Sequence, residues 1–182
     1  VMLPGPSREM HPMFEDQVIP RLQKEGVFPE IDCYLQIRTA GIGESTVAEK
    51  VEHLFEGKEE LLVGYCAHAG MVDIRLSSLN SEVLNEQDLH NLADACRDAL
   101  GEDFVCLGDR TIAGVIFREL RNLDKTLAVA ESCTGGLLAY SFIKNKDSSK
   151  IFKGGYVTYS NEMKINELKV KKTSLEKNGA VN

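Results

Sequence analysis

The chain has 182 residues, a 43% apolar share and a formal net charge of −7, with a pI near 5.2. That length holds one or two domains of ordinary globular composition, and the acidic balance argues against broad nucleic-acid binding, which needs a basic surface. No apolar stretch nears the roughly 20 residues of a membrane helix, and the start lacks a basic segment followed by an apolar one, so neither a membrane span nor a signal peptide is expected.

Residues 3–12 carry three prolines and a glycine and read as a loop, followed by a short helix over Met13 to Lys24. Ile31 to Arg38 alternates apolar and polar residues, which predicts a strand. Gly41, Gly43 and Ser45 punctuate the chain before a helix over Thr46 to Phe55. Leu61 to Cys66 and Met71 to Leu76 are two further strands around Gly70. Glu86 to Leu100 is a long helix with Leu89, Leu92, Ala93, Cys96 and Leu100 on one stripe. Phe104 to Leu107 is a short closing strand. The order βαββαβ is the split-βαβ pattern of ferredoxin-like folds.

The third region starts with an amphipathic helix over Arg110 to Leu123, its apolar face formed by Ile112, Val115, Ile116 and Leu120. A strand over Thr126 to Ala130 and a helix over Leu137 to Lys144 follow. Gly155 to Tyr159 is a second strand. Asn161 fits an N-cap for a helix to about Lys169, and Thr173 or Ser174 fits the cap of another. From residue 144 onward the chain is rich in Lys, which suits a solvated helix face or attraction of a phosphorylated substrate. The five cysteines, Cys33, Cys66, Cys96, Cys106 and Cys133, show no metal spacing. Four of them sit in apolar runs, and the odd count points to a reducing cytoplasm. The four histidines are scattered, and there is no Walker loop, GxGxxG or HExxH.

The segment Ala130-Glu131-Ser132-Cys133-Thr134-Gly135-Gly136 stands between an apolar strand and a helix. Such a turn exposes a nucleophile and aims free N–H groups at an anion. Ser132 is a candidate nucleophile, although a Ser before a helix is more often a cap. Cys133 is its rival, since a helix N-terminus favours the thiolate. Thr134, Gly135 and Gly136 bring N–H groups close to an oxyanion or phosphate. Downstream, Tyr159-Ser160-Asn161-Glu162-Met163-Lys164 offers a Lys that can serve as the base for Ser132. Tyr159 suits hydrogen bonding, proton relay or stacking on a ring, or is simply a half-buried aromatic. Glu131 suits orienting the loop, and Asn161 is a cap first and a substrate contact second.

AESCTGGLLA and GGYVTYSNEMK together resemble the carboxy-terminal domain of the CinA family, whose stand-alone relatives are nicotinamide-nucleotide amidases. LPGPSREMHPMFEDQVIPRL resembles the end of that family's amino-terminal domain. The resemblance implies an α/β and α+β chain. It comprises the tail of a molybdopterin-binding-like domain over 1–27, a βαββαβ, KH-like middle domain over 28–108, and a truncated α/β amidase domain over 109–182. The chain is then expected to be an internal piece of a longer protein. In the middle domain, Gly41-Ile42-Gly43 stands where a KH clamp has GXXG, and Glu44 beside it repels phosphate, so nucleic-acid binding is not expected.

The implied activity is hydrolysis of nicotinamide mononucleotide to nicotinate mononucleotide and ammonia. In that reading the catalytic residues are Ser132 as the nucleophile, Lys164 as the base, and Tyr159. The N–H groups of Thr134, Gly135 and Gly136 hold the oxyanion and Asn161 is a substrate contact, with no metal or cofactor. A cytoplasmic homo-oligomer is expected. Two other readings follow from the same resemblance: a metal-dependent ADP-ribose pyrophosphatase seated in the amino-terminal domain, and a non-enzymatic scaffold in competence or damage response.

Overall fold

A computed structural model of the chain describes residues 2–27 and 33–181. They fall into two compact units, Val1–Asp109 and Arg110–Asn182.

The first unit opens with α1 (Ser7–Met13), a π turn (Phe14–Val18) and α2 (Ile19–Lys24), which follow one another without a break. The helix therefore begins at Ser7, where proline content predicts a loop. Pro6 stands just ahead of it with φ −64°, a value that suits a helix entry. Pro12 and Pro20 each lack the N–H that an α ladder uses, and the π turn falls between them. None of these residues is buried.

The rest of the unit is a four-stranded sheet covered on one face. Its elements are β1 (Cys33–Ala40), α3 (Glu44–Val51), β2 (Leu61–His68), β3 (Met71–Ser78), α4 (Glu86–Leu100) and β4 (Phe104–Leu107). Residues 31 and 32, expected in β1, lie outside the described residues. The strand order is β2-β3-β1-β4, with every pair antiparallel. β1 and β2 therefore run the same way with β3 between them, which is the split-βαβ arrangement. Leu35 pairs with Leu76, Ile37 with Ile74 and Thr39 with Val72. These rows face α3 and α4, and Ile37, Ile74, Leu76, Val47, Val51 and Cys96 are fully buried. Burial pushes the Cys96 thiol up to about 12. α4 is held at its start by a reciprocal capping box between Asn85 and Asp88.

The other face of this sheet buries an ion pair. Arg38 donates from Nε and Nη2 to the two carboxylate oxygens of Asp73, both at 2.7 Å. His68 Nε2 lies 3.2 Å from the same carboxylate. Arg38 Nη1 also donates to the carbonyl of Asp109. The guanidinium bonds hold the Asp73 carboxyl below the usual carboxylate range, against the opposing pull of burial.

The second unit comprises α5 (Ile112–Asn122), β5 (Leu127–Glu131), α6 (Leu137–Ile143), α7 (Ser148–Ile151), β6 (Phe152–Val157), α8 (Asn161–Asn166) and α9 (Lys172–Asn178). β5 and β6 pair in parallel. β6 starts at Phe152, earlier than the glycine pair suggests, because Gly154 and Gly155 lie inside the strand. A Cβ at Gly155 would stand 2.7 Å from Val129 Cγ2 and 3.0 Å from the Val129 carbonyl, so the bare backbone permits the close pairing. Phe117 is the buried residue of α5, while Ile116 of the expected stripe is 41% exposed. The helix turns Phe117 inward because it packs on α6 and α7 rather than on a broad sheet. Phe142 and Phe152 stack with their ring centroids 6.4 Å apart. Among the described residues, no helix is long and apolar enough to cross a membrane.

Candidate functional site

β5 ends at Glu131, and the chain turns through 132–136 into α6. Gly135 and Gly136 take φ values of +59° and +101°, a left-handed path that side chains resist. Ser132 stands at the start of this turn. On the neighbouring strand, the chain leaves β6 at Val157 and enters α8 through Ser160, whose hydroxyl accepts the Met163 N–H. Ser160 is thus the N-cap and Asn161 the first helical residue, which corrects the expected cap at Asn161. Ser160 has the extended backbone that a cap needs.

Lys164 lies in α8 and is 8% exposed. Its Nζ is 3.1 Å from Ser132 Oγ, 2.6 Å from the Thr158 carbonyl oxygen and 3.2 Å from the Tyr159 carbonyl oxygen. This coordination orients the amine. Carbonyl oxygens only accept, so they engage two N–H bonds. In the neutral amine the remaining position is the lone pair, and it faces the Ser132 hydroxyl. The separation is within reach for general-base catalysis.

The carboxylate of Glu131, 5% exposed, organises the turn. It accepts from Thr134 Oγ1 at 2.7 Å and from the N–H groups of Gly136, Leu138 and Ala139 at 3.1, 2.9 and 2.8 Å. Burial alone would raise this carboxyl. The Ala139, Thr134, Leu138 and Gly136 donors outweigh it and hold the group below its ordinary value. The carbonyl of Glu131 accepts both the N–H and the hydroxyl of Thr158, at 2.8 and 3.3 Å. Thr158 thereby ties β5 to the carbonyl that holds Lys164.

The expected oxyanion donors are placed differently. The Gly136 N–H is committed to Glu131 and the Gly135 N–H to the Ser132 carbonyl at 3.1 Å, while the Thr134 hydroxyl is committed to Glu131. An internal carboxylate fills the helix terminus that the sequence pattern assigns to an external anion. The N–H groups of Cys133 and Thr134 have no protein acceptor among the described residues.

Tyr159 contributes its carbonyl to the Lys164 cage, and the residue is otherwise 76% exposed. Cys133, the rival nucleophile, is exposed. Ser132 and Lys164 line a cleft of about 300 Å³ with Thr158, Leu168, Ser174 and Leu175. Depressions of about 430 Å³ over Gln17–Glu25 and about 400 Å³ beside Gly57–Glu60 bring no nucleophile and base together. Among the described residues, no three His, Cys, Asp or Glu side chains converge to hold a metal ion. Of the site members, Glu131 is the hardest to rank from sequence. Its signal is an acid one strand-end before a Gly-capped helix, where no cap side chain exists at Gly136 to serve the N–H groups.

Residues 109–182 match the model of the CinA C-terminal domain, and residues 36–105 match that of the damage-inducible protein CinA KH domain. The chain belongs to the CinA family. A Clostridium botulinum protein provisionally named competence-damage inducible is 39% identical over 185 residues, covering 100% of this chain and 44% of its own length. A CinA-like protein of Kosmotoga olearia is 35% identical, with the same two coverages. The chain thus spans less than half the length of these curated relatives. Among solved structures, a CinA superfamily protein from Escherichia coli is 34% identical over 38% of this chain and 41% of its own, with a TM-score of 0.38. A competence/damage inducible protein from Agrobacterium tumefaciens is 37% identical over 38% and 42%, also with a TM-score of 0.38.

Proposed function

We propose that the protein carrying this CinA chain is an amidohydrolase that converts nicotinamide mononucleotide and water to nicotinate mononucleotide and ammonia. The observation that carries this reading is the Ser132–Lys164 pair, with the amine caged by two carbonyls and directed at the hydroxyl. Ser132 Oγ attacks the carboxamide carbon as its proton passes to Lys164 Nζ. The tetrahedral intermediate collapses, Lys164 returns the proton to the leaving nitrogen, and ammonia departs. A water then attacks the ester, again losing its proton to Lys164, and the acid is released with Ser132 restored. The exposed Tyr159 suits stacking on the pyridine. In this reading Asn161 is a substrate contact, and Ser174 and Leu175 of α9, which line the cleft, meet the rest of the nucleotide.

The test is ammonia release from nicotinamide mononucleotide by the full-length protein, wild type beside Ser132→Ala, Lys164→Ala and Cys133→Ala. Ser132→Ala and Lys164→Ala are expected to lose at least about 10³-fold in kcat, as catalytic units of this kind do, and Cys133→Ala to keep activity. A folded wild type that releases no ammonia would falsify the reading.

A further inference from the structure

We propose that Glu131 is the positioning residue of this site, folding the 132–136 turn so that the Cys133 and Thr134 N–H groups are the ones presented to the oxyanion. This deepens the amidase reading and rests on it. Four donors converge on this carboxylate, three on Oε2 and one on Oε1, all from the turn and the start of α6. Every helix-terminal N–H that would otherwise attract an anion from solution at Gly136, Leu138 and Ala139 is thereby withdrawn. The Gly135 N–H is held by the Ser132 carbonyl, and the N–H groups of Cys133 and Thr134, the two residues after the nucleophile, remain without a protein acceptor among the described residues. A donor on the residue after a nucleophile is well placed for the oxyanion formed at the carbon it attacks. The same residue grips the other half of the pair, since its carbonyl holds Thr158, whose own carbonyl holds Lys164 Nζ. Glu131 touches no substrate in this scheme and acts through the turn.

A cap that only stabilised α6 would predict the same hydrogen bonds but a different response to substitution. Glu131→Gln keeps the shape and replaces acceptor sites with an NH₂ group facing N–H donors. Two readouts on the full-length protein separate the cases: kcat and KM for nicotinamide mononucleotide, and the rate at which Ser132 is labelled by a fluorophosphonate, with the melting curve as the measure of folding. Positioning requires that kcat and labelling both fall by at least about 10²-fold, the size of effect seen when an oxyanion donor is lost, with KM within about 3-fold of wild type. Should Glu131→Gln not fold, Thr134→Val decides, since it removes one donor to the carboxylate and is expected to lower kcat and labelling about 10-fold at unchanged KM. A folded variant that labels and turns over like wild type overturns the proposal. A wild type that labels at Ser132 yet releases no ammonia overturns the substrate reading alone, and labelling of the variants still decides the role of Glu131. A wild type that neither labels nor turns over overturns both.

Discussion

The two units bury different kinds of group. Between β1 and β4, thirteen buried apolar residues form one continuous cluster with α3 and α4, and on the opposite face Arg38 pairs with the buried Asp73. Between Arg110 and residue 181, the buried apolar residues among those described are Phe117, Phe142 and Ile151, while Glu131, Thr158 and Lys164 are buried as well. The first arrangement is stabilised by area removed from water. In the second, much of the interior is a hydrogen-bonded network that holds an amine against a hydroxyl. A fold can thus place stability and chemistry in separate stretches of one chain, and mutations should sort accordingly.

The sharpest way to break that division is to exchange its terms. Lys164→Met removes the amine but keeps the stem that fills the interior. Ammonia release is expected to fall by at least about 10³-fold, with hydrogen exchange at the β3 amides unchanged. Ile74→Ala should do the reverse. It should destabilise the first unit by about 2–5 kcal/mol, read by denaturant unfolding of that unit, and leave labelling of Ser132 by a fluorophosphonate unaffected in the remaining folded protein.

Arg38→Met strands the Asp73 carboxylate in a buried setting. The expected cost is up to about 3–5 kcal/mol by the same unfolding measurement, because a buried charge that loses its main partner is more harmful than a missing pair, and among the described residues only His68 then faces it. The pair also sets a pH dependence. The folded Asp73 carboxyl titrates below its unfolded value of about 3.9. Its contribution is therefore complete above that value and is lost as pH falls through the lower, folded one. Asp73→Asn should flatten this acid limb, and an unchanged limb would exclude Asp73 as its source.

The smallest effect concerns Tyr65. Its hydroxyl is buried without a hydrogen-bond partner among the described residues, and burial raises its pKa to about 12. Removing an unsatisfied polar atom relieves a desolvation cost, so Tyr65→Phe should leave the unfolding midpoint unchanged or move it slightly upward. A loss of more than about 1 kcal/mol would mean that the hydroxyl has a partner after all.

Much of the first unit was legible because its periodicity is clean. The stripe from Leu89 to Leu100 and the alternation in Met71 to Leu76 report burial on one face, and α4 and β4 fall where the pattern puts them. Where composition misled, a local rule was overridden. Pro12 sits inside α1 despite its missing N–H, and Gly154-Gly155 sits inside a strand where a Cβ at Gly155 would meet Val129. At the site, Ser132 and Lys164 were nameable from their motifs, and the structure brings them together. The commitments of individual N–H groups were not nameable, since which donor stays open depends on where one carboxylate turns. Glu131 decides that at three positions along α6 and its approach, a choice that sequence spacing does not encode.

The absent side chain at residue 155 sets a tolerance for the whole site. Ser132 hangs from the end of β5 and Lys164 from carbonyls just past the end of β6, so their 3.1 Å separation is inherited from the gap between two strands. A methyl group added where β6 touches Val129 would be felt as a wedge at one end of a pair of calipers, with the nucleophile and its base as the tips.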